Sequence, residues 1–232
     1  DVVAQDIVKD LDLEKQQSQA VIVFINGEYW GIHNIRDRID ENFLSYRFNL
    51  HKDSFDIIDG NPTRGYEVIH GSNTDYLEML DFVKENNLSD DKNYDLLSNK
   101  LDITNLIDYY SVEIFFANHD WPIHNIKMYR KKGGKWRFIL YDLDGGFTTI
   151  PKNTNPSSID AGRDHTFNMF ERLLNKEDAN PKASFLFRNL MKNKKFSNKF
   201  EFRYKEIIDI YMQPERTLPI VDSIASIYRT NM

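Results

Sequence analysis

The chain has 232 residues, of which 41% are hydrophobic and 13% aromatic, which is enough apolar material for a packed core and unlike the composition of a disordered chain. The formal net charge of -6 provides no overall basic field for a phosphate backbone, so we expect no nucleic-acid partner. The absence of cysteine excludes thiol catalysis and disulfides, and no apolar run approaches the roughly 20 residues of a transmembrane helix.

The first third of the chain predicts a small mixed region of strands and short helices. Ile7, Val8 and Leu11 have the spacing of an amphipathic helix, and Asn26-Gly27 between two apolar runs is a strong hairpin signal. The predicted elements are a helix within residues 1–17, strands over 20–25 and 29–35, a short helix over 39–48, and a strand over 55–58 that ends in a turn at 59–62. We assign residues 1–72 to a small mixed β-hairpin lobe.

From residue 73 onward the apolar pattern is mainly helical. The predicted elements are helices over 73–86 and 102–116, a second hairpin with strands over 126–130 and 136–141, a long loop over 148–164, helices over 166–174, 183–191 and 198–212, and a last helix begun by Pro214 or Pro219. The predicted fold class is therefore α+β, with the small mixed lobe followed by a larger, mainly helical lobe over residues 73–232.

Two polar clusters flank the second predicted hairpin. Asp120 and Asn125 precede its first strand, and Asp142 and Asp144 follow its second strand. Because a hairpin reverses the chain direction, both clusters are expected at the same end of the ribbon. Carboxylate and carboxamide oxygens are the ligands that Mg2+ prefers, often with only one or two protein carboxylates beside substrate phosphates. The sequence therefore predicts an oxygen-rich cavity for a divalent cation.

The spacing of Asp120 and Asn125 matches the catalytic loop of protein kinases, in which an Asp accepts the substrate hydroxyl proton and an Asn five residues later binds metal. The spacing alone is weak evidence, because Asp and Asn also favour turns. A buried helix before the loop and a hydrophobic strand before Asp142 strengthen the kinase interpretation. A calcium loop at residues 142–146 is disfavoured, because the closing Glu of an EF-hand is missing.

Three blocks of the chain resemble those of one known family. They are residues 24–38, with the core Asn26-Gly27-Glu28-Tyr29-Trp30-Gly31, residues 118–125, and residues 136–147. They follow the order and spacing of the corresponding blocks in the CotH (spore coat protein H) kinase family. Residues 187–202 also resemble the helical tail of that family. The resemblance covers most of the chain, so we identify residues 1–232 as a single CotH-like kinase domain. Because the family domain normally begins upstream of Asp1, we expect the domain to be truncated at its N-terminus.

The resemblance implies an atypical protein-kinase-like fold that uses ATP and Mg2+ or Mn2+ to phosphorylate Ser or Thr hydroxyls of secreted or spore-coat proteins. It places the protein outside the cell, at the cell surface or in the spore coat of a bacterium. By position, Asp120 would be the catalytic Asp, and Asn125, Asp142 and Asp144 would hold the metal. Which of the two Asp residues is the principal ligand stays open.

Arg36 and Arg38 are the candidates for steadying the nucleotide phosphates, because guanidinium groups bind phosphate bidentately. Asp37 stands where the family is expected to have Glu. Two other functions are compatible with the same residues. One is a pseudokinase or cell-surface binding module that keeps the fold without catalysis, and the other is a phosphohydrolase that uses a bound metal to activate water.

Overall fold

The computed structural model describes residues 1–61, 65–147, 166–174 and 181–230. Its N-terminal elements are α1 (Val2–Ile7), β1 (Glu14–Lys15), β2 (Ser18–Ile25), β3 (Glu28–Arg36), α2 (Glu41–Phe48), β4 (Phe55–Asn61) and β5 (Gly65–His70). The following elements are α3 (Thr74–Glu85), α4 (Asp91–Ser98), α5 (Ile103–Phe116), β6 (Lys127–Lys131), β7 (Arg137–Leu140), α6 (Met169–Leu174), α7 (Pro181–Leu190), α8 (Lys194–Tyr211) and α9 (Pro214–Thr230). A small sheet region and a larger helical region confirm the predicted α+β class.

A five-stranded sheet in the order β1-β7-β6-β4-β5 forms the centre of the small region. β1 runs parallel to β7, with Glu14 opposite Ile139, and the other neighbouring strands are antiparallel. The β6–β7 pair is the second predicted hairpin. Because β4 and β5 join β6 and β7 in this sheet, strands from both sides of residue 72 share it. The predicted division of the chain after residue 72 stays a prediction.

β2 and β3 form a separate two-stranded antiparallel hairpin, as predicted. Asn26 and Gly27 have φ angles of 53° and 87°, the left-handed backbone that a tight two-residue hairpin turn requires. Near the other end of the ribbon, the Tyr228 hydroxyl of α9 donates a 2.8 Å hydrogen bond to Asn34 Oδ1. The hairpin is therefore attached to the C-terminal helix, and β3 ends at Arg36.

Helix α5 lies in the core of the helical region, with 12 of its 14 residues buried. Asp102 caps its N-terminus by accepting hydrogen bonds from the backbone N–H groups of Thr104 and Asn105. Tyr110 stacks on Phe187 of α7, with ring centroids 4.9 Å apart. This packing fixes the C-terminal end of α5, from which the Asp120 loop begins.

The helix predicted within residues 1–17 is shorter than that segment. It ends at Ile7, and Glu14 instead belongs to a strand. Arg137 of β7 explains the difference, because its Nη2 lies 3.1 Å from Asp12 Oδ2 and 3.8 Å from Glu14 Oε2. Pairing with a strand more than 120 residues away thus overrides the local helical pattern.

The turn predicted at residues 59–62 is wrong at its start, because β4 continues through Asn61 and pairs with β5, a strand that the sequence analysis missed. The N–H of Gly60 donates a 2.7 Å hydrogen bond to Ile126 O, which holds this part of β4 beside the chain that enters β6. Helix α4 was also missed, although Asp90 caps it by accepting a 2.8 Å bond from Lys92 N.

The helices predicted after the long loop are confirmed with shifted bounds. α8 begins at Lys194, earlier than expected, because Asn193 caps it by accepting a bond from Phe196 N. α9 begins at Pro214, and Pro219 lies inside it. The loop predicted over residues 148–164 lies outside the described residues. Within the described ranges, no helix combines the length and apolar character needed to cross a bilayer.

Candidate active site

The loop after α5 presents Asp120 on a tight turn. Ala117, with a left-handed φ of 49°, ends the helix. The backbone N–H groups of Ile123 and His124 both donate to Asp120 O, at 3.1 and 2.7 Å. Trp121 follows Asp120 and is fully buried against the ring of Tyr110. The backbone is thus anchored while the Asp120 side chain stays 43% exposed and accessible to a substrate.

The segment after β7 also folds into a tight turn. Asp142 has a left-handed φ of 56°, a conformation that Asp and Asn adopt more readily than most residues. Gly146 N donates a 3.0 Å bond to Leu143 O, and Phe147 N donates a 2.8 Å bond to Phe116 O. The last of these bonds attaches the turn to the final residue of α5, next to the start of the Asp120 loop.

The two segments contact each other directly. Asn125 Nδ2 and Asn118 Nδ2 both donate to the backbone carbonyl of Asp142, each across 3.3 Å. His119 N donates a 3.2 Å bond to Gly145 O, and a Cβ added at Gly145 would lie 2.6 Å from Asn118 Oδ1. The structure therefore brings together the two clusters that flank the β6–β7 hairpin in the sequence.

Four charged residues of this site act on the carboxyl group of Asp142. Burial raises the pKa of its carboxyl, and the neighbouring carboxylates of Asp144 and Asp120 raise it further, while Arg36 and Lys127 oppose the rise. Asp144 is exposed, and Asp120 Oδ1 lies 3.3 Å from His119 Nε2. Asp142 is thus the most enclosed of the three acidic residues that influence one another here.

Only one of the two predicted phosphate-binding arginines lies at this site. Arg36 Nη1 is 2.5 Å from Asp1 Oδ2, and Asp1 Oδ1 accepts a 3.0 Å bond from Leu143 N, between the two acidic residues of the β7 turn. The side chain of Arg38 is 90% exposed, with Nε 3.7 Å from Asp40 Oδ2. The contacts therefore connect Arg36, and not Arg38, to the acidic cluster.

Lys127 is a cation of the site that the sequence analysis did not select. Its Nζ lies 3.8 Å from Asp59 Oδ2 and 4.5 Å from the centroid of the Tyr141 ring. Burial raises the pKa of the Asp59 carboxyl, and Lys127 opposes that rise. A lysine two residues after Asn125, at the start of a predicted strand, was the available signal.

Glu113 is a second residue that was not selected. It is fully buried on the last turn of α5, and its Oε2 accepts a 3.0 Å bond from Asn118 Nδ2. Burial raises the pKa of Glu113 to about 8, an effect that the bond from Asn118 opposes and the charge of Asp142 reinforces. Two acidic residues, Asp108 and Glu113, within a largely apolar helical run were the signal in the sequence.

The donor set fits a divalent cation that also binds a phosphorylated substrate. Within the part of the chain that the structure describes, no group of three or more His, Asp or Glu side chains is arranged to hold an ion alone. Mg2+ does not require such a group, because it commonly takes one or two carboxylates and completes its shell with phosphate oxygens and water. Burial and then the repulsion of neighbouring carboxylates raise the pKa of Asp142, and a bound cation would oppose both effects.

The α+β fold, with a small sheet region and a larger helical region, is consistent with a kinase-like protein, and the Asp120 loop meets the Asp142 turn at one end of the β6–β7 hairpin. The family model described as "CotH kinase protein" matches residues 1–232, the whole chain. The chain therefore belongs to the CotH kinase family. No curated protein matches it.

Proposed function

We propose that this protein is a phosphotransferase that depends on ATP and a divalent cation, Mg2+ or Mn2+, and that phosphorylates Ser or Thr hydroxyls of proteins. The observation that carries the proposal is the contact between the Asp120–Asn125 loop and the Asp142 turn. The contact supports the proposal, because a carboxylate, a carboxamide and a second carboxylate then follow the order of a kinase catalytic loop and metal-binding turn.

In this proposal Asp120 is the catalytic residue. Its backbone is fixed by the turn at residues 120–124, and its side chain is partly exposed. The carboxylate orients an acceptor hydroxyl and takes its proton as the oxygen attacks the γ-phosphate. His119 Nε2, 3.3 Å away, limits the orientations that the carboxylate can adopt. Catalysis then consists mainly of positioning and charge neutralisation.

Asn125, Asp142 and Asp144 are the proposed metal ligands, with Asp142 as the principal one. Two carboxamides hold the backbone carbonyl of Asp142, which fixes the position of its side chain better than that of the exposed Asp144. When bound, the cation neutralises charge on the phosphates. Asp142 and Asn125 supply the fixed oxygens that determine where it binds.

Arg36 is the proposed contact to the nucleotide phosphates. Its charge acts on Asp142, and its ion pair with Asp1 attaches it to the acidic turn. Arg38 is a weaker candidate, because its contacts are with Asp40 at the surface. Acceptors among secreted or spore-coat proteins, and a location at the bacterial cell surface or in the spore coat, are proposals that rest on the family alone.

The test is phosphate transfer from radiolabelled ATP, with Mg2+ or Mn2+, to the protein itself and to a mixture of Ser- and Thr-containing peptides. Asp120→Ala should abolish transfer and leave the circular dichroism spectrum and melting temperature unchanged. Asp222→Ala, at an exposed position on α9, is the control that should transfer normally. Full activity of Asp120→Ala would exclude the assigned role.

Two further outcomes identify the alternatives. Calorimetry that detects no binding of ATP with either metal would identify a pseudokinase or binding module. Steady release of inorganic phosphate without any labelled acceptor would identify a hydrolase that activates water.

A further inference from the structure

One buried carboxamide contacts both halves of the candidate active site. Asn118 is fully buried. Its Oδ1 accepts a 3.3 Å bond from the backbone N–H of Asp120, and its Nδ2 donates to the backbone carbonyl of Asp142 across 3.3 Å. The same side chain thus bonds to the backbone of the proposed catalytic residue and to that of the proposed principal metal ligand.

The orientation of this carboxamide determines whether both bonds can form. Only Nδ2 can donate to the Asp142 carbonyl, and only Oδ1 can accept from the Asp120 N–H. If the amide rotated by 180°, Asn118 Oδ1 would face the Asp142 carbonyl oxygen, so two acceptors would meet. Asn118 Nδ2 would face the Asp120 N–H, so two donors would meet. Each of these two bonds favours the observed orientation, and any further contact of the carboxamide adds to that preference.

Glu113 supplies a third contact that favours the observed orientation. Its Oε2 accepts a 3.0 Å bond from Asn118 Nδ2, whereas in the flipped orientation this oxygen would face Asn118 Oδ1 and could form a bond only if it carried the carboxyl proton. Glu113 is fully buried, and its other oxygen, Oε1, has no hydrogen-bond partner among the residues that the structure describes. Burying a carboxyl group with a single hydrogen bond is unfavourable for folding. The bond to Asn118 offsets part of that cost.

We propose that Glu113 and Asn118 are positioning residues of the phosphotransfer site. Glu113 fixes the orientation of the Asn118 carboxamide, and Asn118 holds the Asp120 loop and the Asp142 turn at a constant separation. The proposal rests on the proposed function for its catalytic consequence, whereas the positioning itself can be measured without any activity.

Four variants separate positioning from general destabilisation. Glu113→Gln keeps an acceptor oxygen for Asn118, whereas Glu113→Leu removes it at similar volume, and Asn118→Ala removes the bridge. Asn193→Ala is the matched control, because Asn193 is also fully buried and its amide also donates two bonds, to Leu88 O and Asp91 Oδ1. Urea denaturation of all four variants measures how much stability each one loses.

The first measurement is hydrogen exchange of the backbone amides that join the two segments. Two of these are the N–H groups of His119 and Phe147, which donate to Gly145 O and Phe116 O, and the third amide followed is that of Asp120, which donates to the bridging Asn118 Oδ1. Asn118→Ala and Glu113→Leu should exchange at least tenfold faster there, and Glu113→Gln and Asn193→Ala should exchange at the wild-type rate. Wild-type exchange in Glu113→Leu, or equally fast exchange in Asn193→Ala, would overturn the proposal.

The second measurement is phosphate transfer. Asn118→Ala and Glu113→Leu should lower kcat at least tenfold, while Glu113→Gln stays within threefold of wild type and Asn193→Ala is unchanged. A Glu113→Gln variant as impaired as Glu113→Leu would contradict the proposal, because the acceptor would then not be what matters. If the wild type transfers no phosphate, the proposed function fails, and the exchange rates alone decide whether Glu113 and Asn118 position the two segments.

Discussion

The side-chain amide of Asn125 donates a 3.3 Å hydrogen bond to the backbone carbonyl of Asp142, and both residues have left-handed backbones, with φ of 62° and 56°. A non-glycine residue in this conformation costs roughly 1 kcal/mol or more, and such costs concentrate at functional sites. The bond crosses 17 residues of sequence. It therefore fixes the two ends of the β6–β7 hairpin in a conformation that neither segment favours alone.

The first prediction separates the backbone role of Asn125 from its role as a ligand. Asn125→Gly and Asn125→Ala should both lower the free energy of unfolding, because both lose the bond to Asp142 O. The loss should be about 1 kcal/mol larger in Asn125→Ala, because only glycine adopts a positive φ without a steric cost. Both variants should bind Mn2+ with ATP at least tenfold more weakly by calorimetry, since both lack the carboxamide oxygen. Wild-type affinity in Asn125→Gly would show that this side chain is not a ligand.

The second prediction compares two arginines that are equivalent in the sequence but differently placed in the structure. Arg36→Met should weaken binding of ATP with Mg2+ at least tenfold, because it removes the guanidinium that we propose binds the nucleotide phosphates. Arg38→Met should change the affinity less than twofold, since Arg38 is exposed and pairs with Asp40. Calorimetric titration of both variants measures the difference. Equal losses would contradict the placement of the nucleotide beside Arg36.

Much of this site could be predicted because its signals are local. Short stretches of sequence show the Asn26-Gly27 turn and the apolar face of α5. They also show that Asp120 precedes the first strand of one hairpin and that Asp142 follows its second strand. The strands β1 and β5 were missed because their pairing partners determine them. Glu14 joins the sheet beside Ile139, which no local pattern indicates.

The contacts inside the site were missed for a similar reason. Glu113, one of two acidic residues in a largely apolar helix, is visible as an anomaly, but its bond to Asn118 depends on how the chain turns after Ala117. The link from Asp1 to Leu143 crosses 142 residues. Sequence reasoning selected the groups that we propose carry the chemistry, and it could not identify the groups that hold them in place.

The third prediction concerns the pH dependence of stability. The pKa of Glu113 is about 8 in the folded protein and 4.5 as the ordinary value, mainly because of burial. Between these values the folded state holds a proton that the unfolded state releases. The free energy of unfolding should therefore fall as pH rises from about 4.5 to 8, by at most about 1.4 kcal/mol per pH unit from this group, and level off above pH 8.

Urea denaturation of the wild type and of Glu113→Gln from pH 5 to 8.5 measures this contribution as the difference between the two curves. The charged and titratable neighbours of Glu113 are Asp142, Tyr109 and Tyr141. They are present in both proteins, so their own titration largely cancels in the difference. A difference that does not vary with pH would show that Glu113 is ionised throughout or exposed to water.

The fourth prediction concerns the ion pair that attaches α8 to α5. Arg203 forms two bonds with the carboxylate of Asp108, from Nε at 2.7 Å and from Nη2 at 3.0 Å. The Asp108 side chain is 1% exposed, whereas that of Arg203 is 25% exposed and is also bonded to Glu206 at 2.6 Å. Removal of Arg203 therefore leaves Asp108 as a buried carboxylate without its cation. Removal of the Asp108 charge leaves Arg203 with Glu206 and partial access to water.

Arg203→Met should lower the free energy of unfolding by about 3–5 kcal/mol, because it leaves a buried carboxylate without a cation. Asp108→Asn should cost clearly less, since the remaining arginine keeps Glu206 and access to water. Guanidinium denaturation of both variants tests the order, and a larger loss in Asp108→Asn would contradict it. Because α5 carries Glu113 and leads into the Asp120 loop, Arg203→Met should also speed amide exchange at His119 and Asp120, with Asp108→Asn affecting them less.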